Sequence, residues 1–415
     1  MNLVKTSFYT SISTAITFIS GFVVTKVVAV AIGPKGMAYV GQFQNTTAIF
    51  AMLGIAAISA GVIKYLAEYK DQPEKQQRVI TTAVTVILTS SGLVSLAVLL
   101  FSGRLSMMSF HSTDYTIIFV IYGIFLTIIS LNSLFIAVFN GLKEIRKYTI
   151  INISSSLIGL LCTVGFAKAW GLKGVLVAAS FSALAMFLVN LFFLSKLKGF
   201  SFIPNFRNWD KQILKMLFAF SLMNVVSGFL GPFVQLSIRD YMIQHASVQE
   251  AGYWQAVTKI SDYYLSFITT VLSVYYLPRL SELQMKHELK KEIWKGYKMI
   301  LPVAGILALG IWIMKGLIVK ILFTADFIPM LPLFKFQLIG DFLKIGSWLL
   351  AFLMLSKAMT RMFIITEIVF SFSYLGLSYW MMPRYGVIGA TYAFAINYGI
   401  YWIAMWLLMR NKINN

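Results

Sequence analysis

The chain has 415 residues, of which 59% are hydrophobic and 12% are charged, and its formal net charge is +20. Together with a mean hydropathy of +0.78, this composition excludes an ordinary soluble domain and indicates a polytopic membrane protein. The basic residues cluster in short links between apolar segments. The net charge therefore indicates membrane topology and contact with anionic lipid rather than binding to nucleic acid.

Long apolar segments follow one another along almost the whole chain. A helix that crosses a bilayer needs about 20 mostly apolar residues. By this criterion the sequence predicts twelve spans, at about 8–32, 41–67, 78–101, 114–140, 149–168, 174–195, 212–239, 252–276, 296–315, 331–356, 362–382 and 386–409. Lys5 and the Ala29-Val30-Ala31 sequence resemble parts of a secretory signal, but the apolar run is too long and Lys26 interrupts it. We therefore predict a retained first helix.

The charges in the links between spans predict the orientation of the chain. With the N-terminus inside, the cytoplasmic links and tails contain most of the Lys and Arg residues, and the opposite links contain few. A surplus of basic residues marks the cytoplasmic side of membrane proteins. The sequence therefore predicts that both termini are cytoplasmic. It also predicts an amphipathic surface helix over Arg279–Lys298.

Two short motifs recur at the same spacing along the chain. Arg146-Lys147-Tyr148-Thr149-Ile150 corresponds to Arg361-Met362-Phe363-Ile364-Ile365, at the start of the fifth and eleventh predicted spans. Trp170-Gly171-Leu172-Lys173-Gly174 corresponds to Tyr385-Gly386-Val387-Ile388-Gly389, before the sixth and twelfth spans. An even number of spans in each half gives both halves the same orientation, which is a parallel repeat typical of transporters.

These features predict the fold class and the division of the chain. We expect an all-α polytopic membrane protein with about twelve transmembrane helices in two six-helix lobes. The N-terminal lobe would cover residues 1–210 and the C-terminal lobe residues 211–415, with the basic link Lys196–Lys211 at the boundary.

Several charged residues lie inside predicted spans, and seven of them are candidate site residues. They are Lys26, Lys64, Lys259, Asp262, Asp341, Lys344 and Glu367. A charge in the hydrocarbon region is costly unless it faces a polar cavity or a partner, so such residues mark functional sites. Because most of them are cations, the sequence indicates an anionic cargo. Lys26 fits either a partner carboxylate or an anionic substrate, whereas Lys64 lies near a span end that its side chain can reach beyond.

Two pairs of these charges are three residues apart and therefore share a helix face. Lys259 precedes Asp262 in the eighth predicted span, and Asp341 precedes Lys344 in the tenth. One interpretation is a pair of internal ion pairs that make the helices tolerable in lipid. In the other, a bound diphosphate competes for the lysine, and the released carboxylate takes up a proton that couples transport to an ion gradient. Glu367 is a further candidate proton site.

No motif for catalysis or for a cofactor is present in the sequence. His111, His245 and His287 lie in or beside predicted loops without the spacing of a metal site, and no phosphate-binding Gly-x-x-x-x-Gly-Lys-Ser/Thr loop occurs. The single Cys162 excludes an intramolecular disulfide. We predict a protein that is not an enzyme and needs no metal or cofactor. Arg239, at the outer end of the seventh predicted span, is expected to be an interface anchor.

Three groups of segments carry a family resemblance. They are Thr25-Lys26-Val27-Val28-Ala29-Val30 with Gly33-Pro34-Lys35-Gly36, then Ile260-Ser261-Asp262-Tyr263-Tyr264-Leu265 with Ser273-Val274-Tyr275-Tyr276-Leu277-Pro278, and Gln337-Leu338-Ile339-Gly340-Asp341-Phe342-Leu343-Lys344 continuing to Arg361 and Thr366-Glu367. Together they resemble the Wzx-type polysaccharide flippases of the multidrug/oligosaccharidyl-lipid/polysaccharide exporter superfamily. The resemblance extends over the whole chain.

The resemblance implies two lobes around a cationic cavity, in the inner membrane of a bacterium. The implied cargo is an undecaprenyl-diphosphate-linked oligosaccharide, an O-antigen or enterobacterial common antigen repeat unit, moved from the cytoplasmic to the periplasmic leaflet with ion or proton coupling. The residues expected to bind the diphosphate are Lys26, Lys64, Lys259 and Lys344, and those expected to couple transport are Asp262, Asp341 and Glu367. Candidate partners are membrane lipid and the polymerase and chain-length regulator of the same pathway.

Two other functions remain open at this point. A cation-coupled multidrug antiporter of the same superfamily would carry carboxylates in its N-terminal lobe, where this chain has Lys26. A membrane glycosyltransferase or polymerase would need a large outer loop with catalytic residues, and the predicted outer loops are short. Both observations favour the flippase.

Overall fold

The computed structural model describes residues 3–197, 199–204, 210–219 and 221–414. These residues form helices joined by short turns, and none of them lies in a β-strand. Among the described residues, eight helices are long and apolar enough to cross a membrane, and a bent helix pair is a ninth candidate. The all-α membrane class is therefore confirmed, whereas the number of twelve spans stays a prediction. Lys198 and residues 205–209 of the predicted link lie outside the described residues.

Contacts between residues divide the chain into two compact units. The first unit contains Met1–Ile32 and Gln42–Pro232, and the second contains Gly33–Gly41 and Phe233–Asn415. The lobe boundary after residue 210 stays a prediction from the sequence.

The first unit is assembled from the helices of the first half of the chain. They are α1 (Leu3–Gly54, apart from residues 33–41), α2 (Ser59–Glu68), α3 (Pro73–Leu100), α4 (Ser102–Phe110), α5 (Thr116–Gly141), α6 (Ile145–Leu194), α7 (Lys211–Ala219) and the first half of α8 (Ser221–His245). One apolar core lies among α2, α3, α5 and α7, where Ile58, Leu66 and Leu217 are fully buried. A second core forms between α5 and α6. Asn190 donates a 2.8 Å hydrogen bond to Asn132 across these two helices.

The second unit is assembled from the remaining helices. They are the rest of α8, α9 (Val248–Val271), a π-helical turn (Leu272–Tyr276), α10 (Leu277–Glu282), α11 (Lys286–Leu322), a 3-10 helix (Ala325–Met330), α12 (Leu333–Ser356), α13 (Thr360–Tyr385) and α14 (Ile388–Asn414). Their core is formed chiefly by α9, α11, α12 and α14, and it contains the fully buried Leu272, Leu349 and Met405. Many large apolar side chains remain on the outside, such as Ile306 and Ile313 of α11, as expected where a helix meets lipid.

Glycines with positive φ stand at three breaks in the helices. Gly33 within α1 has φ 61° and ψ −168°, and Gly171 within α6 has φ 55° and ψ −131°. Gly386, between α13 and α14, has φ 65° and ψ −156°. A side chain disfavours this region of positive φ, so glycine is required at each break. Gly171 and Gly386 are the two residues that the sequence repeat places in equivalent positions.

The second predicted span, over 41–67, is interrupted in the structure. α1 ends at Gly54 and α2 begins at Ser59, and Ala56 and Ala57 between them have φ of 51°. Gly54 and Ser59 flank this turn, but the four residues between them are all apolar, and Ile58 is fully buried in the apolar core. Hydropathy measures how apolar a segment is, so it does not distinguish a buried apolar turn from a continuous apolar helix.

The prediction of a separate amphipathic helix over Arg279–Lys298 is wrong. α10 ends at Glu282, the chain is extended at Leu283 and Met285, and α11 then runs without interruption from Lys286 to Leu322. The charged residues of this segment are thus the first turns of the same helix that forms the ninth predicted span. The apolar part of α11 begins only after these charged residues, whereas the helix itself begins at Lys286.

Candidate functional site

Two helices of the second unit carry the same pattern of polar residues. Each has a glutamine, a charged residue four positions later, and a residue of opposite charge three positions after that. These are Gln255, Lys259 and Asp262 on α9, and Gln337, Asp341 and Lys344 on α12. Residues at i, i+4 and i+7 lie on one face of an α-helix. Each helix therefore carries a polar stripe along one face.

Asp341 is the most enclosed carboxylate of this region, with no exposed surface. The Ser261 hydroxyl of α9 donates a 2.6 Å hydrogen bond to Oδ2, and the Gln337 amide donates to Oδ1 at 3.3 Å. A buried carboxylate is tolerated when donors satisfy its oxygens. These two neutral donors hold Asp341 between the two helices while leaving its charge unneutralised.

Lys344, one turn along α12 from Asp341, lies among aromatic rings. Its Nζ is 4.8 Å from the ring centroid of Trp348, 5.2 Å from that of Tyr398 and 5.5 Å from that of Phe394. The negative face of an aromatic ring attracts a cation at such distances. The rings thus keep a lysine charge within the second unit without a carboxylate in direct contact.

Asp262 differs from Asp341 because its side chain is exposed. Three cations act on its carboxylate, most strongly Lys344, then Lys259 and Arg239. The Lys259 Nζ itself lies 5.7 Å from the ring centroid of Tyr263. Asp262 is therefore an exposed carboxylate among three cations, a setting that also attracts anions from outside the protein.

Arg239 of α8 lies in a different environment from the one predicted from the sequence. Its side chain is fully buried, so the expectation of an interface anchor is wrong. The guanidinium donates hydrogen bonds to Gln255 and, at 3.4 Å, to Gln235, and its carbon lies 5.3 Å from the Trp254 ring centroid. Burial of an arginine requires such donors and stacking partners, because its charge is not lost at physiological pH.

Gly41 provides the space for the contact between Arg239 and Gln255. A Cβ at position 41 would collide with the Gln255 amide, and it would lie 2.9 Å from the guanidinium carbon of Arg239. The Gly41 backbone, the Arg239 guanidinium and the Gln255 amide are therefore packed without spare volume. This arrangement orients Gln255, the first polar residue of the stripe on α9.

Glu367 of α13 is connected to the same region through a tyrosine. Its side chain is partly buried, and its charge acts on the hydroxyl groups of Tyr398 and Tyr401. Tyr398 is also one of the rings around Lys344. A change in the charge of Glu367 would therefore be felt at Lys344 through their shared neighbour.

The remaining two candidate lysines belong to the first unit. Lys26 of α1 is exposed and lies on the helix segment that ends at the Gly33 break. Lys64 of α2 is 3.8 Å from Glu68 and 4.5 Å from the ring centroid of Tyr65. An exposed pair of this spacing contributes little free energy, and it leaves Lys64 near the protein surface.

The structure thus brings five of the seven candidate residues into one region of the second unit. They are Lys259, Asp262, Asp341, Lys344 and Glu367. Neither Lys259 with Asp262 nor Asp341 with Lys344 approaches within the 4.0 Å of an ion pair among the described residues. The carboxylates and lysines instead act on each other over longer distances.

Sequence reasoning missed three contributors, Arg239, Ser261 and Gln337. A signal existed for Gln337, which is at the same helical phase as Asp341 and Lys344. No sequence signal distinguished Ser261 from other serines, since its role depends on the approach of α9 to α12. Among the described residues, no group of three or more His, Cys, Asp or Glu side chains could hold a metal ion.

Comparison with known proteins gives a family match and related sequences. The family model described as "Polysaccharide biosynthesis protein" matches residues 3–284, more than half of the chain. The Lipid III flippase of Escherichia coli (strain K12) is 29% identical over 416 residues, which cover 99% of this chain and all of that protein.

Two solved structures share the fold. An inward-facing multidrug resistance MATE family transporter of the MOP superfamily superimposes with a TM-score of 0.79 and 14% identity, covering 95% of this chain and 94% of the other. Lipid II flippase MurJ, in an inward closed conformation, gives a TM-score of 0.77 and 14% identity, covering 98% of this chain and 87% of the other. At these identities the likeness concerns the fold, and it confirms the two-lobe class expected from the sequence.

Proposed function

The chain belongs to the polysaccharide biosynthesis protein family, and we propose that it is a flippase for lipid-linked oligosaccharide. The cargo is an oligosaccharide on undecaprenyl diphosphate, the repeat unit of O-antigen or of enterobacterial common antigen. It moves from the cytoplasmic to the periplasmic leaflet of the bacterial inner membrane. Both termini of the chain are cytoplasmic in this proposal, as the distribution of basic residues in the links favours.

One observation carries this proposal, the end-to-end similarity to a lipid III flippase. Membrane proteins place charged side chains at depth where a polar cargo or an ion must pass. The polar stripes on α9 and α12 are such a place within the second unit, and their cations suit a diphosphate.

The lysines divide into two roles in this proposal. Lys26 is exposed on α1, so it is free to meet a diphosphate that enters from the membrane side. Lys259 and Lys344 are the diphosphate-binding lysines of the second unit. Lys64 is the weakest contributor because it already lies beside Glu68. A lysine ammonium binds phosphate as a point charge and does not demand one geometry, which suits a cargo that must also leave.

The carboxylates are the proposed coupling residues. Asp341 is held by Ser261 and Gln337 rather than by an ion pair, so protonation would remove its charge without breaking a salt bridge. Asp262 is exposed to an arriving ion and lies in the field of Lys344 and Lys259. A diphosphate that drew these lysines away would make proton uptake by Asp262 easier. Glu367 would act on Lys344 through Tyr398.

A flip assay in proteoliposomes tests the proposal. The purified protein is reconstituted with undecaprenyl diphosphate that carries a fluorescent disaccharide, and dithionite bleaches the probe in the outer leaflet. Protein-dependent loss of the protected half of the fluorescence supports a flippase. Vesicles with the Lys26→Gln protein measure the contribution of the first unit, and Lys35→Gln, an exposed lysine nine positions later on α1, is the matched control.

Two outcomes would contradict the proposal. If the vesicles export a lipophilic cation against a pH gradient and leave the lipid-linked sugar unmoved, the chain is a drug antiporter. If the disaccharide lipid is lengthened or hydrolysed when the protein is added, the chain is an enzyme that acts on this lipid. Mass spectrometry of the extracted lipid distinguishes the second outcome.

A further inference from the structure

A groove of about 530 Å³ lies on the second unit between α11 and α14, apart from the polar stripes. Most of its lining is apolar or aromatic, and the two charged residues of the lining, Lys290 and Arg410, are both basic. None of the seven candidate site residues lines this groove. Its chemistry is that of an amphiphile with an anionic head.

The α11 wall of the groove shows where each part of such a molecule would lie. Lys290, Trp294, Tyr297 and Leu301 are spaced at i, i+4, i+7 and i+11, so they form one line along the helix. Eleven residues at 1.5 Å per residue span about 16 Å. This length is close to half of the roughly 30 Å hydrocarbon core of a bilayer. The wall therefore extends over one leaflet, with its charge at one end.

The α14 wall runs in the opposite direction and has the same polarity. Arg410 lies near the C-terminal end of α14, as Lys290 lies near the N-terminal end of α11, and both line the same groove. The Arg410 guanidinium is 6.0 Å from the Trp406 ring centroid, and Trp402 follows one turn deeper. Tryptophans at this level are typical of the membrane interface, where an amphipathic ring meets lipid headgroups.

Hydrogen bonds fix the deeper end of the groove. Trp402 donates a 2.9 Å hydrogen bond from Nε1 to the Tyr297 hydroxyl, which in turn donates to the Gly346 carbonyl at 2.9 Å. The two rings lie nearly parallel, with centroids 6.0 Å apart. Because the polar atoms bond to each other, the surface left for a ligand at this depth is apolar.

The two acidic residues nearest in sequence to Lys290, Glu288 and Glu292, are not part of the groove lining. Glu292 instead lies 3.9 Å from Arg279 and 4.0 Å from Lys295. The positive charge of Lys290 and Arg410 is therefore available to a ligand. The surface of a biological membrane supplies anionic lipids, and each Lys or Arg near it contributes to their binding.

We propose that this groove binds one anionic phospholipid of the adjacent leaflet. The phosphate lies between Lys290 and Arg410, and one acyl chain follows Trp406, Trp402 and Leu301 toward the membrane centre. Two cations at the mouth select an anionic over a zwitterionic headgroup. The match between the groove and one leaflet suits a resident phospholipid, which stays in its leaflet, and this inference does not depend on the transport proposal.

Native mass spectrometry of the purified full-length protein tests the headgroup site. The protein is titrated with phosphatidylglycerol, and with phosphatidylethanolamine of the same acyl chains. We expect the Lys290→Gln/Arg410→Gln protein to bind phosphatidylglycerol about 30-fold more weakly at its tightest site, with little change for phosphatidylethanolamine. The control is Lys291→Gln/Lys298→Gln, two exposed lysines of α11 outside the groove.

Quenching by brominated acyl chains tests the position of the chain. Phosphatidylglycerol with bromine near the middle of its chain should quench tryptophan fluorescence of the native protein, and Trp406→Phe should reduce that quenching. Equal phosphatidylglycerol affinity in the two double variants would overturn the proposal. Displacement of the bound phospholipid by undecaprenyl phosphate, with the same dependence on Lys290 and Arg410, would instead assign the groove to the carrier lipid.

Discussion

The Ser261 hydroxyl on α9 donates a 2.6 Å hydrogen bond to the fully buried carboxylate of Asp341 on α12. The two residues are eighty positions apart in the chain, and this contact joins the helices that carry the two polar stripes. Its length lies within the ordinary range for a hydroxyl donor. Both the stability of the second unit and its proposed response to ions therefore depend on this contact.

Loss of the Ser261 hydroxyl should destabilise the protein. The Ser261→Ala change leaves one Asp341 oxygen without its donor, which costs about 1–3 kcal/mol for a buried polar group. Ser266→Ala is the control, because the Ser266 hydroxyl donates to the Tyr263 carbonyl of its own helix. Thermal unfolding in detergent should show a lower melting temperature for Ser261→Ala than for Ser266→Ala. Equal melting temperatures would mean that the contact does not hold α9 to α12.

Replacement of Asp341 by asparagine should separate coupling from folding. The amide has nearly the same shape, so Asp341→Asn should fold, but it cannot take up and release a proton. We expect the stimulation of lipid flipping by a pH gradient to fall about tenfold, which corresponds to about 1.4 kcal/mol of activation free energy. Asp326→Asn, at an exposed position on the 3-10 helix, should retain it. A full response of Asp341→Asn would remove Asp341 from the coupling mechanism.

The buried Arg239 should be sensitive even to conservative replacement. Arg239→Lys keeps the charge but cannot donate to Gln235 and Gln255 together while stacking on Trp254. We expect a loss of about 1.5–3 kcal/mol of stability, the range for a hydrogen bond to a charged group. Arg384→Lys, on the exposed end of α13, should change the melting temperature little. The comparison requires only purified protein and a thermal scan.

Two glycine-to-alanine changes should have opposite effects. Gly41→Ala places a methyl group against Gln255 and Arg239, and overpacking of this kind costs about 1–3 kcal/mol. Gly310→Ala, within α11, meets no atom within 4 Å and should be neutral or stabilise the helix by up to about 1 kcal/mol. A stable Gly41→Ala protein would show that Gln255 moves aside at little cost. Its transport rate would then tell whether the orientation of Gln255 matters.

Lys26→Ala should abolish complementation of a strain that lacks its own flippase for lipid-linked oligosaccharide, while membrane expression remains normal. Removal of an exposed side chain changes stability little, so the loss would report on cargo binding. Lys26→Arg, which retains a phosphate-binding cation, should restore part of the activity. Lys35→Ala is the control on the same helix. Normal complementation by Lys26→Ala would exclude Lys26 from the site.

Part of the candidate site is recognisable from the sequence alone. Asp341 and Lys344 stand out because charges are rare in apolar segments, and their spacing places them on one helix face. The same argument applies to Lys259 and Asp262 on α9. The spacing does not show which groups the charged side chains contact, because a spacing of three residues fits an ion pair and two separate environments equally well. The structure has separate environments, with hydroxyl and amide donors at Asp341 and aromatic rings at Lys344.

Arg239 and the start of α11 show the limits of a one-dimensional pattern. An arginine near the end of a predicted span is most easily placed at the membrane interface, yet Arg239 is enclosed by Gln235, Gln255 and Trp254. The charged residues after Lys286 similarly suggested a surface helix, whereas they begin a long continuous one. In both cases the environment of a charge was inferred from its sequence neighbours, although spatial neighbours determine it.

The sequence by itself determined that this is an all-helical membrane protein, because apolar segments of this length can satisfy their backbone groups in lipid only as helices. It also identified the charged residues that lie inside apolar segments, because the free-energy cost of a charge in lipid depends on the residue and its depth. Only the tertiary structure decided what each charge meets. Ser261 reaches Asp341, and Lys290 shares a groove with Arg410, through the approach of helices that are distant in the chain. Such approaches follow from the packing of whole helix faces, which no local pattern specifies.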